Sequence, residues 1–133
     1  MSRVPLIWVL HMAYLWLVIG FLLSGVAALG LLLPSLAIHA FTVGGIGIVI
    51  LGMTSRVALG HTGRRLHPSS WIVTGYYCLN AGAAVRVFGP LIFPTAYLTV
   101  LAVAAFLWVT AFVFFLIIYF PMLISPRVDG CPD

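Results

Sequence analysis

The stretch His39-Ala-Phe-Thr-Val-Gly-Gly-Ile-Gly-Ile-Val-Ile-Leu-Gly-Met-Thr-Ser-Arg-Val-Ala-Leu-Gly-His-Thr-Gly-Arg64 decides how this chain is read. A histidine opens it, a glycine-studded apolar run fills it, and His61-Thr-Gly-Arg-Arg65 closes it. From Ala40 to Leu59 only small hydroxyls and Arg56 interrupt the apolar run. That is enough to cross a bilayer, which takes about 20 residues at a rise of about 1.5 Å each. His39 and His61 then fall near opposite faces of the membrane, roughly 30 Å apart along one helix, so they cannot ligate one metal ion.

Composition extends this reading to the whole chain. The 133 residues are 64% hydrophobic and 6% charged, with a mean hydropathy of +1.25. Soluble domains carry about 25% charged residues. The expectation is an all-α integral membrane protein. The formal charge of +4 comes from arginine alone, at Arg3, Arg56, Arg64, Arg65, Arg86 and Arg127. These flank apolar spans, so they read as topology determinants that meet membrane lipid, not as a nucleic-acid surface. The only acids are Asp129 and Asp133, in the C-terminal tail. With no carboxylate in any span, a pump built on intramembrane Asp or Glu is disfavoured. The same lack removes paired carboxylates and His–Asp arrangements for hydrolysis, and no catalytic residue is assigned. Cys78 and Cys131 lie far apart, with no C-x-x-C-H for covalent haem and no expected disulfide. The first apolar run is about twice the length of a signal-peptide core and reads as a retained span.

The expected fold is an antiparallel four-helix transmembrane bundle forming a single domain over residues 1–133, with spans at roughly 4–33, 36–59, 71–88 and 95–120. Pro34 stops the first span, because proline disfavours helix in the residue before it. A very short turn then makes the first two helices antiparallel neighbours. Gly60 to Ser70 is the one real loop, with Gly63 free to take a positive φ and Ser69 or Ser70 as the next N-cap. Gly89-Pro90 and Pro94 separate the third span from the fourth, and Pro121 ends the fourth. Five of the arginines fall on the side of the termini and the long loop, against Arg86 alone on the other. By the positive-inside rule both termini are cytoplasmic.

Small residues recur at helical spacing: Gly20, Ser24 and Ala28 in the first span, then Gly75, Cys78 and Gly82 in the third. Gly44, Gly45, Gly47 and Gly52 stud the second. Such stripes let helices approach closely, and they also let a flat ring approach a helix.

The histidines are the candidate ligands. His11 lies about two turns inside the first span and His61 at the same side of the second. Two neutral imidazoles on neighbouring helices can hold a haem iron from opposite faces. Arg56, Arg64 and Arg65 would then pair with its propionates, and Tyr14 and Val18 would form a wall. The alternative is a His11 that only bonds a backbone carbonyl, with His61 as an interfacial loop residue. His39 sits toward the other end of the second span, near Arg86, which needs an anion from a lipid, a propionate or another subunit. Snorkelling to the headgroups is the alternative for Arg86. His67, before Pro68, reads as a solvated residue.

The pattern His39-Ala-x-Thr-Val-Gly-x-Ile-Gly, then Arg56, then Leu59-Gly-His-Thr-Gly-Arg64, resembles the NnrS family of bacterial membrane proteins linked to nitric oxide metabolism. His11-Met-Ala-Tyr-Leu-Trp-Leu is similar to that family's preceding helix, and the likeness runs over roughly Leu10 to Arg86. The resemblance implies haem and copper as cofactors, and His11, His39 and His61 as metal or haem ligands with Arg64 behind them. It implies a place in the bacterial inner (cytoplasmic) membrane. Family members have about three times as many spans, so the chain resembles the C-terminal third of one. The reading reached is a b-type haem-binding protein in electron transfer or nitric oxide handling, as a small subunit of a larger complex, with no turnover expected of this chain alone. The alternative is a cofactor-free structural subunit packed against a respiratory or photosynthetic complex. A channel or transporter is weaker, because four spans leave little room and no charged pathway.

Overall fold

A computed structural model describes residues 4–128 and 130 of the chain. Arg3, Asp129, Cys131 and Asp133, which entered the arguments on topology and acids, lie outside the described residues. The regular structure among the described residues is all helical, in the order α1 (Val4–Ala28), α2 (Pro34–His39), a π-helical segment (Ala40–Ile46), α3 (Gly47–His61), α4 (Ser70–Ile92), a 3₁₀ turn (Pro94–Ala96) and α5 (Tyr97–Leu123). Three stretches are long and apolar enough to cross a membrane: Pro5–Ala28, Pro34–His61 and Pro94–Leu123. The α4 helix, diluted by Asn80 and Arg86, is not among them.

Helix boundaries differ from expectation for local reasons. The α1 helix stops at Ala28, before Pro34, because Gly30 takes φ +75°. The Gly30 amide donates to the Ala27 carbonyl at 2.9 Å and the Leu31 amide to Val26 at 3.3 Å, closing the helix end with a left-handed glycine. Gly63, at φ +69°, does the same after α3: the Arg64 amide donates to the Leu59 carbonyl at 3.0 Å. Gly60 and His61, expected in the loop, are thus the last residues of α3. Ser69 caps α4, its Oγ accepting from the Ile72 amide at 3.4 Å. The α4 helix runs through Gly89-Pro90 to Ile92, and α5 runs through Pro121 to Leu123. A proline late in a helix removes one hydrogen bond but does not have to end it when packing holds the next turn.

The π-helical segment has no counterpart in the expected uniform second span. It directly follows His39 and ends where the Gly47 amide reaches the Thr42 carbonyl, one residue further back than in an α-helix. The wider turn carries Gly44 and Gly45 onto α1. A methyl group on Gly44 would stand 2.5 Å from the Trp16 ring, and one on Gly45 would stand 2.7 Å from Leu17. Gly20 meets Phe41, and Gly52 meets Val9, so contacts advance along α1 as they retreat along the second rod, the continuous helical stretch Pro34–His61. The α4 and α5 helices interlock likewise, Gly75 against the Ala111 carbonyl and Gly82 against the Ala104 carbonyl. The small residues are therefore used for helix-to-helix approach.

Between the rods lies a core of Val9, Trp16, Ile48, Leu51, Tyr76 and Leu79 among others, all buried. One polar bond ties it together: the Trp16 Nε1–H donates to Asn80 Oδ1 at 3.2 Å, and Asn80 Nδ2 donates to the Tyr76 carbonyl at 2.8 Å. The Val128 amide donates to the Thr62 carbonyl at 3.3 Å, which sets the C-terminal tail beside the α3–α4 loop.

Candidate functional site

His11 and His39 share one local device. The Nδ1–H of His11 donates to the Ile7 carbonyl at 2.9 Å, and that of His39 to the Ser35 carbonyl at 2.6 Å, each four residues back on its own helix. A carbonyl only accepts, so Nδ1 carries the proton, and in the neutral ring Nε2 keeps its lone pair bare. Ligating histidines are commonly held this way, the second nitrogen fixed by a backbone acceptor. The backbone bond foreseen as the alternative for His11 is present, and it leaves the other nitrogen available.

The surroundings of the two differ. His11 is exposed on α1 and opens onto a hollow of about 560 Å³ formed with Leu10, Tyr14, Leu15 and Val18. Tyr14 and Val18 thus stand where the sequence reading put a wall. All five residues belong to α1, so the hollow has one wall and is open opposite. His39 is half-buried and lines a crevice of about 270 Å³ between the second rod and α5. Val43, Leu101, Trp108 and Val109 form its apolar sides, and Arg86 reaches it from α4. His39 and Arg86, expected near one end of neighbouring spans, are brought into one cavity.

Arg86 forms no ion pair among the described residues. Its guanidinium carbon lies 6.0 Å from the centre of the Tyr97 ring, at the start of α5. A cation over an aromatic face is attracted by the ring quadrupole, which offsets part of its lost hydration but leaves its charge uncompensated.

His61 lines a third hollow, of about 330 Å³, with Thr54, Val57, Phe115 and Leu123 between α3 and α5. His11 and His61 therefore open onto separate hollows. Arg56 and Arg65 are exposed, while Arg64 is half-buried with its Nη1 buried and without a hydrogen bond. None of these three arginines lines the hollows of His11, His39 or His61. Among the described residues no group of three or more His, Cys, Asp or Glu side chains converges as a metal site would require.

Two polar features were not singled out from sequence. The Trp16–Asn80 bond has a signal in the sequence, an asparagine within an apolar span. The other is a set of buried hydroxyls, Ser55 on α3, Tyr76 on α4 and Tyr119 on α5. Ser55 gives its proton to the Leu51 carbonyl at 2.7 Å, while the two phenol oxygens make no hydrogen bond. Only the packing of three helices brings those positions into the core.

No curated protein and no solved structure matches the chain. A family model described as NnrS protein matches residues 1–127, wider than the Leu10–Arg86 stretch that carried the resemblance. With nearly all of its length covered by that model, the chain belongs to the NnrS family.

Proposed function

We propose that this chain is a multi-pass membrane protein that binds b-type haem through His11 and acts in electron transfer or nitric oxide handling. It does so as a small subunit of a larger complex in the bacterial inner membrane. The observation that carries the reading is His11 itself: an imidazole exposed on a membrane-length helix, its Nδ1 tied to Ile7 and its Nε2 bare over an open hollow. An ionisable group inside a span does not face lipid without a partner. The donor fits haem iron, for which neutral imidazole is a common axial ligand.

When bound, haem supplies one-electron chemistry and a site for a diatomic ligand. His11 would hold the group through Nε2, kept in place by the Ile7 bond, and Tyr14, Leu15 and Val18 would pack against it. Because these residues form a single wall, the remaining contacts to such a group would come from outside this face of α1. That one-sidedness supports the subunit reading. Copper remains an implication of the family alone. Four antiparallel spans with cytoplasmic termini complete the proposal. The opposed order of contacts along α1 and the second rod, and along α4 and α5, supports it. So does the C-terminal tail lying at the arginine-bearing loop.

A cofactor-free structural subunit is the second reading, favoured by α5, whose Leu98, Phe106 and Ile117 are largely exposed. A dithionite-reduced minus oxidised spectrum of protein purified with its native partners separates the two. The expected result is a b-type signal that His11→Ala abolishes. A signal that survives His11→Ala and is lost in His39→Ala or His61→Ala overturns the assignment to His11. No haem in the wild-type complex leaves the structural subunit.

A further inference from the structure

We propose that the crevice between His39 and Arg86 is a headgroup site for one anionic phospholipid that carries a hydroxyl beyond its phosphate. The inference does not depend on haem at His11, which opens onto a different hollow.

Charge comes first. Arg86 brings a permanent positive charge into a crevice whose other walls are apolar apart from His39, and it has no acidic partner among the described residues. The desolvation cost of such a cation is large unless an anion meets it, and here the anion comes from outside these helices. A guanidinium suits phosphate, to which it gives two parallel hydrogen bonds.

His39 narrows the class. In its neutral form the ring, with Nδ1 donating to Ser35, presents Nε2 as an acceptor and takes a hydrogen bond from the ligand. One ligand must therefore offer a phosphate to Arg86 and a donor to His39. A glycerol-headed anionic phospholipid offers both, and its single negative charge neutralises the single arginine. A zwitterionic ethanolamine lipid offers a donor but leaves the site with a net positive charge.

Depth and shape agree. His39 lies between one and two helical turns from the Pro34 end of its rod, and Arg86 between one and two turns from the Ile92 end of α4. The guanidinium rises toward Tyr97, the first residue of α5, as a snorkelling arginine does beside an interfacial aromatic. The sides formed by Leu101, Trp108 and Val109 suit the glycerol backbone and the first carbons of an acyl chain, and all three are exposed along α5.

The test is native mass spectrometry of the detergent-purified full chain with its partners, incubated with dioleoyl phosphatidylglycerol, dioleoyl phosphatidylethanolamine or inorganic phosphate alone. One phosphatidylglycerol is expected to stay bound, and Arg86→Gln should lower its occupancy at least about fivefold, the equivalent of about 1 kcal/mol for one arginine at a headgroup. His39→Ala should weaken retention of phosphatidylglycerol but keep the preference over phosphatidylethanolamine, because both headgroups offer His39 a donor and only their charge differs. Ala105→Phe, which fills the crevice and leaves both polar groups in place, should also expel the lipid. Equal retention by wild type and Arg86→Gln overturns the proposal. So does equal retention of both lipids by wild type, or binding of inorganic phosphate with no lipid. Haem content is read on the same samples: His11→Ala should keep the lipid whatever it does to haem. Haem lost from Arg86→Gln, with no lipid in the wild type, would give the crevice to haem and sink the lipid site.

Discussion

Trp16 occupies the space that a side chain on Gly44 would need. A methyl group at that position would stand 2.5 Å from the indole and 2.8 Å from the Trp16 Cβ. The contact joins α1 to the π-helical segment that follows His39, so the seat of one candidate ligand depends on a glycine.

Gly44→Ala is therefore expected to destabilise the protein by about 1–3 kcal/mol, the usual cost of overpacking a filled interior. Gly25→Ala, on the same pair of rods, should have the opposite sign. Nothing lies within 4 Å of a side chain at Gly25, and alanine is the better helix former by about 1 kcal/mol. Thermal unfolding in detergent measures both. Equal effects would show that the glycine at position 44 is not held by Trp16.

The Trp16–Asn80 bond should be worth little in itself and matter for register. Asn80→Leu is expected to cost about 0.6–1.7 kcal/mol, the range of interhelical bonds in membrane proteins. A double-mutant cycle with Trp16→Phe isolates that term. Additive effects of the two substitutions would mean that the 3.2 Å bond contributes nothing.

Removing a buried hydroxyl should help. Tyr76 and Tyr119 are buried with phenol oxygens that make no hydrogen bond. An unsatisfied polar group in an apolar interior costs about 1–3 kcal/mol, and the Ser55 hydroxyl beside both phenols offsets part of it, so Tyr76→Phe and Tyr119→Phe are each expected to raise stability by at most about 1 kcal/mol. A loss of stability in either variant would reveal a partner for that hydroxyl.

Gly63→Ala should weaken the junction after α3. The φ of +69° is strained for any side chain, and the loss is expected at about 1 kcal/mol, less for Gly63→Asn. The melting temperatures of the two variants, in that order, check it. If alanine is tolerated as well as glycine, the left-handed helix end is not retained in the protein.

The haem proposal and these predictions rest on different layers of information. Hydropathy and the rarity of charge made helical, membrane-length elements legible, because burial of backbone polar groups in lipid leaves the helix as the simplest solution. The order of the rods was legible for the same reason, as were Gly63, Ser69 and the family pattern around His39 and His61. Prolines misled where packing outweighed them: Pro90 and Pro121 sit inside helices that α4 and α5 stabilise on each other. Gly30 was overlooked as the end of α1 because Pro34 is the louder signal.

What residue types and their spacing determined by themselves is local: which segments are apolar, which histidines have a carbonyl four residues back, and which glycines can turn. Only the tertiary structure decided the meetings. It set His39 beside Arg86 in one crevice, turned His11 and His61 onto separate hollows, and gathered Ser55, Tyr76 and Tyr119 into the core. The physical reason is rotation about the helix axis. In chains this uniformly apolar the hydrophobic pattern hardly distinguishes one face from another. The facing of each helix is instead set by where small residues admit a neighbour and where large ones fill the gap.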